Sequence, residues 1–166
     1  MHSSNVVAAW TLAVQDRLTD GMRQVGLDSR ELASLTLVAE HDGCSTDWLR
    51  RRVGLTQSGT VRLLDRLTQR GLLRRQTVAG REVPLHVTPA GRRALKRWAA
   101  VRDSVVAELL AGVSQADRDR LVRVLASGLQ ATHRQRLHAD MTCRACSWPA
   151  CGVDCPVDRG VRAAEQ

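Results

Sequence analysis

Four cysteines, Cys143, Cys146, Cys151 and Cys155, form the densest group of reactive side chains in the sequence, spaced C-x2-C-x4-C-x3-C and followed directly by Pro156. The N-terminus has no basic segment leading into a long apolar run, so the expected compartment is the cytoplasm, where thiols stay reduced and a disulfide framework is disfavoured. Reduced thiolates call for a soft or borderline metal. Zinc takes four of them in a closed tetrahedral site, and an iron–sulfur cluster also uses four. The expected occupant is an iron–sulfur cluster, with zinc as the alternative and a metal-free thiol or disulfide switch as a third reading. Trp148 and Pro149 lie inside the cluster and are expected to shape its loop. His133 and His138 are too far out of helical phase to share one face and are taken as solvated or capping residues. Cys44 stands apart, at a position expected to be apolar, and is assigned a packing role.

A second set of side chains suits a polyanion. Gln57, Ser58, Val61, Arg62, Asp65 and Arg66 recur on one face of a helical stretch, while Thr60, Leu63, Leu64 and Leu67 fall on the other and should point inward. Thr56 caps this helix and Gly71 stops it. Upstream, Ser45-Thr46-Asp47 opens a shorter helix carrying Trp48, Leu49 and Val53, and Gly54 turns one helix into the next. Downstream, residues 73–78 and 83–87 alternate as half-buried strands around the turn Ala79-Gly80-Arg81-Glu82. This is a helix-turn-helix with a two-stranded wing.

Such a helix fits a DNA major groove. Gln57 has the donor and acceptor for adenine, Arg62 matches guanine or a phosphate, Ser58 pairs with either base, and Val61 suits a thymine methyl. Arg66 extends the charged face, Arg74 and Arg75 are placed for phosphates, and Arg81 is placed for the minor groove. A solvated helix face is the bland alternative, and the adjoining arginine-bearing wing tips the balance away from it.

Leu55-Thr56-Gln57-Ser58-Gly59-Thr60-Val61-Arg62-Leu63-Leu64-Asp65-Arg66-Leu67, then Arg70-Gly71-Leu72 and Leu85-His86-Val87-Thr88-Pro89-Ala90-Gly91, resembles the MarR family of bacterial transcriptional regulators over most of residues 5–138. The resemblance implies a triangular dimer whose two reading helices enter successive major grooves of a palindromic operator. It also implies that Asp65 pairs with the wing arginine, Arg81. The sequence departs from the family at Arg50, where a small residue is usual, at Trp48, where Glu is frequent, and at the wing tip, whose acidic residues are reduced to Glu82. The segment ending in C-x3-C-P is similar to the cysteine loops of bacterial ferredoxins.

Stepping outward, residues 1–27 and 89–138 are expected to be dimerisation helices, 28–88 the winged DNA-binding domain, and 139–166 a cysteine-rich metal-binding extension. Val7, Trp10, Val14, Leu18, Met22 and Val25 make one apolar stripe on a helix from about Asn5, after a frayed start. Asp28 and Glu31 form a capping box for the next helix, which ends near Gly43 with His41 as a polar cap. After the wing, Thr88-Pro89 opens a helix with Leu95, Trp98, Val101, Val105 and Leu109 on one face. Ser114 opens another, striped by Leu121, Val124, Leu125 and Leu129 toward Leu137. These stripes exceed what a small winged domain can cover, so they should meet the first helix and a second subunit. The fold class is therefore mainly α, a winged helix-turn-helix with flanking long dimerisation helices and a small wing.

Composition narrows the partners. The 166 residues carry a net charge of +8, and Lys96 is the single lysine among 25 basic residues. Arginine's planar fork suits phosphates and guanine edges. Phe and Tyr are absent, which disfavours RNA-recognition sheets and single-strand stacking grooves. No phosphate loop and no nucleophile with a base and orienter is present, so an enzyme is not expected. No basic amphipathic terminus points to a membrane. The expected function is a DNA-binding regulator, with repression as its sense, responding through the cysteines to redox state, oxygen or iron. A zinc-stapled regulator with a small-molecule effector, a small redox protein, and an interaction adaptor are the alternatives.

Overall fold

The computed structural model describes residues 2–76, 84–132 and 134–161. Helix α1 (His2–Gln24) starts three residues before the expected Asn5, so residues 2–4, anticipated as frayed, are helical. It runs against α5 (Pro89–Leu109). Between them and the winged part lies α2 (Ser29–Glu40), whose residues from Glu31 to Val38 are all buried. The expected capping box is present: Asp28 accepts from the amides of Arg30 and Glu31 while Glu31 accepts from the Asp28 amide. Leu32, Leu35, Leu37 and Val38 have no solvent exposure, and each contributes about 1.5–3 kcal/mol by leaving water.

Helix α3 (Thr46–Val53) is capped by Ser45 and ends at Gly54, whose φ of 64° lies in the left-handed region that favours glycine. Helix α4 (Gln57–Gln69) follows, then strands β1 (Leu73–Arg75) and β2 (Leu85–Val87), paired antiparallel with Leu73 opposite Val87 and Arg75 opposite Leu85. Gln76 donates to the Pro84 carbonyl and prolongs the ladder. Residues 77–83 lie outside the described residues, and with them the expected wing tip.

Thr88 caps α5 and also donates to the Gly71 carbonyl at 2.6 Å, tying the base of the wing to the long helix. At Gly91 the helix passes so close to β1 that a β-carbon would overlap the Leu72 carbonyl oxygen and come within 2.7 Å of Val87 Cγ1. Backbone cannot yield as a side chain can, so Gly91→Ala should destabilise the protein by about 1–3 kcal/mol, the range for overpacked sites. Urea unfolding measures it, and a change below about 0.5 kcal/mol would contradict so tight a contact.

Helix α6 (Gln115–Ala131) contains no buried residue, and Val122, Val124, Leu125 and Leu129 are exposed. It does not run to Leu137 as its stripe suggested. Thr132 turns extended, Arg134 donates to the Gly160 carbonyl and bridges Val161, and the chain re-enters helix as α7 (Arg136–Thr142). The expected boundary at 138/139 thus falls inside α7. Short helices α8 (Trp148–Cys151) and α9 (Pro156–Arg159), joined by a 3-10 turn, complete a lobe with its own small core of Ala139, Cys143, Cys155, Val157 and Val161. In this lobe α7 packs on α3, and α9 packs on α6. Among the described residues no helix is long and apolar enough to cross a membrane.

Candidate nucleic-acid interface and thiol cavity

The reading helix α4 has the two faces its periodicity requires. Thr60, Leu63, Leu64 and Leu67 are buried, and Gln57, Ser58, Val61 and Arg62 are exposed. Thr56 Oγ1 accepts from the Gly59 amide at 3.1 Å, which fixes the first turn and with it Gln57 and Ser58. Val61 is 41% exposed, an apolar side chain set among polar ones. Arg74 is exposed on β1.

Two arginines expected to reach DNA have other partners. Arg75 Nη2 lies 3.0 Å from Asp65 Oδ1 and donates to the Val61 carbonyl at 3.3 Å, so it braces the reading helix. Asp65 therefore pairs with Arg75, whereas Arg81, the partner implied by resemblance, lies outside the described residues. Arg66 leans toward Asp28 and Glu31 at 3.9 and 3.8 Å, though Glu31 is held more closely by Arg70 at 2.9 Å. Arg50 and Arg51 on α3 both bond Asp47, and the Arg50 hydrogen bond foremost holds that carboxyl below the ordinary aspartate range.

The four C-terminal cysteines converge. Cys143, Cys146, Cys151 and Cys155 all line one cavity of about 90 Å³, together with Asp140, Trp148 and Asp158. All are free thiols; Cys143 and Cys155 are buried and Cys146 and Cys151 are exposed. Trp148 Nε1 donates to the Cys143 carbonyl at 3.0 Å, so the indole does shape the loop. Among the described residues no three ligating side chains meet closely enough to hold a bare ion. Four cysteine sulfurs lining one cavity are a donor set of the kind that either a zinc ion or an iron–sulfur cluster takes.

Protons are unevenly held. The Cys143 thiol donates toward Cys146, and this bond with burial raises Cys143 far above the ordinary thiol range. The same bond foremost, helped by Arg102 and Arg144, brings Cys146 down to about 7. Burial pushes Cys44 up to about 11, consistent with its expected packing role. In metal-free protein at pH 7.5, iodoacetamide should label Cys146 first and leave Cys143 and Cys44 among the last. Peptide mapping by mass spectrometry checks the order, and early labelling of Cys44 would contradict it.

Sequence reasoning missed the residues that join this cavity to the winged domain. Asp140 is fully buried, and its Oδ2 accepts from Arg52 Nε of α3 at 2.6 Å. The Arg52 guanidinium lies 3.7 Å over the Trp48 ring. His41, expected only as a polar cap, does cap α2 but also stacks between Trp48 and Trp148, with ring centroids at 4.5 and 5.2 Å. Burial, the largest cause, lowers its pKa, opposed by Asp140 and aided by Arg52 and Arg136. On another side Trp98 Nε1 of α5 donates to the Ala145 carbonyl, between two of the cysteines, at 2.9 Å. A groove of about 260 Å³ opens between α2, α5 and this loop, lined by Thr36, Glu40, Lys96 and Arg102 among others. The helical spacing of Trp48 to Arg52 and of Asp140 to Cys143 was the available signal.

A sequence profile of the MarR family matches residues 25–82. Among solved structures, YusO from Bacillus subtilis superposes with a TM-score of 0.70 at 20% identity, over 78% of this chain and 94% of that one. A mutant of MepR from S. aureus, bound to an oligodeoxyribonucleotide, gives 0.64 at 16% identity over 78% and 96%. The Mycobacterium tuberculosis MarR family protein Rv2887, in complex with DNA, gives 0.60 at 20% identity over 74% and 93%. Residues 25–82 thus match the MarR-family profile, and the chain has the fold of these solved structures, a winged helix-turn-helix flanked by long helices.

Proposed function

We propose that this protein is a dimeric, sequence-specific DNA-binding transcriptional regulator, a repressor in sense, whose cysteine lobe holds an iron–sulfur cluster and makes DNA binding responsive to redox state, oxygen or iron. The observation that carries the DNA reading is α4, a capped helix with Gln57, Ser58, Val61 and Arg62 presented outward from a fully buried inner face, on a chain of net charge +8. Arg62 and Arg74 are its free basic contacts among the described residues, with Arg75 orienting the helix. The exposed apolar residues Val6, Val7 and Trp10 of α1 and Val122, Leu125 and Leu129 of α6 support a second subunit covering both helices. A two-fold dimer matches a palindromic operator.

For the cofactor, Cys143, Cys146, Cys151 and Cys155 are the residues that would hold it, and a cluster supplies a one-electron change and chemical lability. The convergence of all four cysteines on one cavity, together with the C-x3-C-P ending, supports the cluster reading. A zinc-stapled regulator with a small-molecule effector is the second reading, favoured by the groove between α2, α5 and the cysteine loop. Rv2887 has also been solved in complex with p-aminosalicylic acid.

Retardation of promoter fragments from the protein's own genomic neighbourhood, with anaerobically prepared and chelator-stripped protein, tests the DNA reading. Binding that weakens steeply with salt is expected, and Arg62→Ala should cost about 1–3 kcal/mol of discrimination at one base pair. Failure of both forms to retard any such fragment would end it. A visible spectrum taken without air, with elemental analysis, separates a brown iron-bearing protein from a colourless one holding stoichiometric zinc.

A further inference from the structure

The two oxygens of Asp140 have different environments. Oδ2 is bonded to Arg52 at 2.6 Å, while Oδ1 is buried without a hydrogen-bond partner, the Arg136 guanidinium standing off at 3.9 Å. Arg136 is itself committed to Asp158 at 2.6 Å. A buried carboxylate oxygen left bare is costly, and in a native structure it asks for an explanation. Asp140 is among the residues that line the same cavity as the four thiols.

We propose that Asp140 is the positioning residue through which the occupant of the thiol cavity sets the geometry of the helix-turn-helix, an inference that rests on the cavity being the sensory site. Asp140 and Cys143 stand one turn apart on α7, so they share a face. A tetrathiolate centre, whether zinc or an iron–sulfur cluster in its oxidised state, carries net negative charge, whereas four protonated thiols carry none. That charge acts on the buried, unpartnered Asp140 Oδ1, where screening by solvent is weak. Negative charge in the cavity holds Asp140 more firmly on Arg52, in the contact already made at 2.6 Å, and emptying the cavity loosens that clamp. Arg52 belongs to α3 and rests on Trp48 of the same helix, and Gly54 leads from α3 straight to Thr56, Gln57 and Ser58. A shift of this clamp therefore reaches the first turn of the reading helix through a short rigid path. Arg52 and Asp140 are 88 positions apart in sequence, so the bond serves no local purpose within either helix.

The test is the ratio of operator Kd between chelator-stripped and anaerobically loaded protein, with metal and sulfide per chain measured alongside, for the wild type, Asp140→Asn and Arg52→Lys. The loaded wild type should bind at least about fivefold more tightly, the lower end of ordinary coupling between sites. In both variants the ratio should fall below about twofold while metal content and spectrum stay as in the wild type. A purely structural role would weaken loaded and stripped forms alike and leave the ratio standing. Variants that keep the wild-type ratio would overturn the role of Asp140 while sparing the sensory reading. A wild-type ratio of one would remove the sensory reading and this inference with it. Should Asp140→Asn lose its metal, Arg52→Lys decides, because it retains the charge and leaves the cavity wall intact.

Discussion

Replacing Asp140 with alanine is expected to lower the unfolding free energy by about 3–5 kcal/mol, the loss that follows when one partner of a buried ion pair is removed. The side chain of Asp140 is 1% exposed and that of Arg52 11%, so the guanidinium left behind has little water to turn to. Its remaining contacts, the Trp48 ring and the Trp48 carbonyl at 3.3 Å, accept charge weakly. Replacing both partners by apolar residues of similar volume, Arg52→Met with Asp140→Leu, should recover most of that loss, since the pair's desolvation is then avoided altogether. Urea unfolding of the stripped protein measures all three chains. A loss under about 1 kcal/mol for Asp140→Ala would mean that water reaches the pair, and the α3–α7 junction would then be looser than its geometry indicates.

The second large effect concerns Cys155. It is buried, belongs to the small core of the lobe, and lines the cavity together with the more exposed Cys146 and Cys151. Losing a residue that merely orients a metal ligand lowers metal affinity about 10–100-fold, so losing a ligand itself should exceed that range. Cys155→Ala is expected to bring the visible absorbance and iron content of anaerobic protein to background. Cys44→Ala, at a thiol held protonated by burial, should leave both unchanged. Full iron content in Cys155→Ala would remove this cysteine from the site, and equal loss from Cys44→Ala would move the site elsewhere.

These expectations draw on features that were unevenly legible in the residues. The faces of α4 could be read because one helical period, a Thr cap and a glycine stop all act locally. The capping box of α2 was legible for the same reason. The thiol cluster was visible as spacing, though not its division into two buried and two exposed sulfurs, which depends on packing by Val157 and Val161. Arg75 was misplaced because β1 turns its side chain back toward Asp65, a choice made by strand register and not by composition. The end of α6 was hidden because its apolar stripe does continue toward Leu137, while the break is imposed by pairing with Gly160 and Val161. Asp140 could not be found at all. A buried acid is sustained by a partner remote in sequence, and nothing near it announces that partner.

The lobe is fastened at three places: to α3 through Asp140, to α5 through the Ala145 carbonyl, and to the end of α6 through Arg134 and Gly160. Anchored to three different helices, the lobe fixes where they stand relative to one another. In the two-fold dimer proposed above, that placement would set the span between the twin copies of α4, which must match about 34–36 Å, one turn of B-form duplex, for both to dock. The thickness of a small thiol-bearing lobe would then be geared to the gauge of the whole proposed assembly.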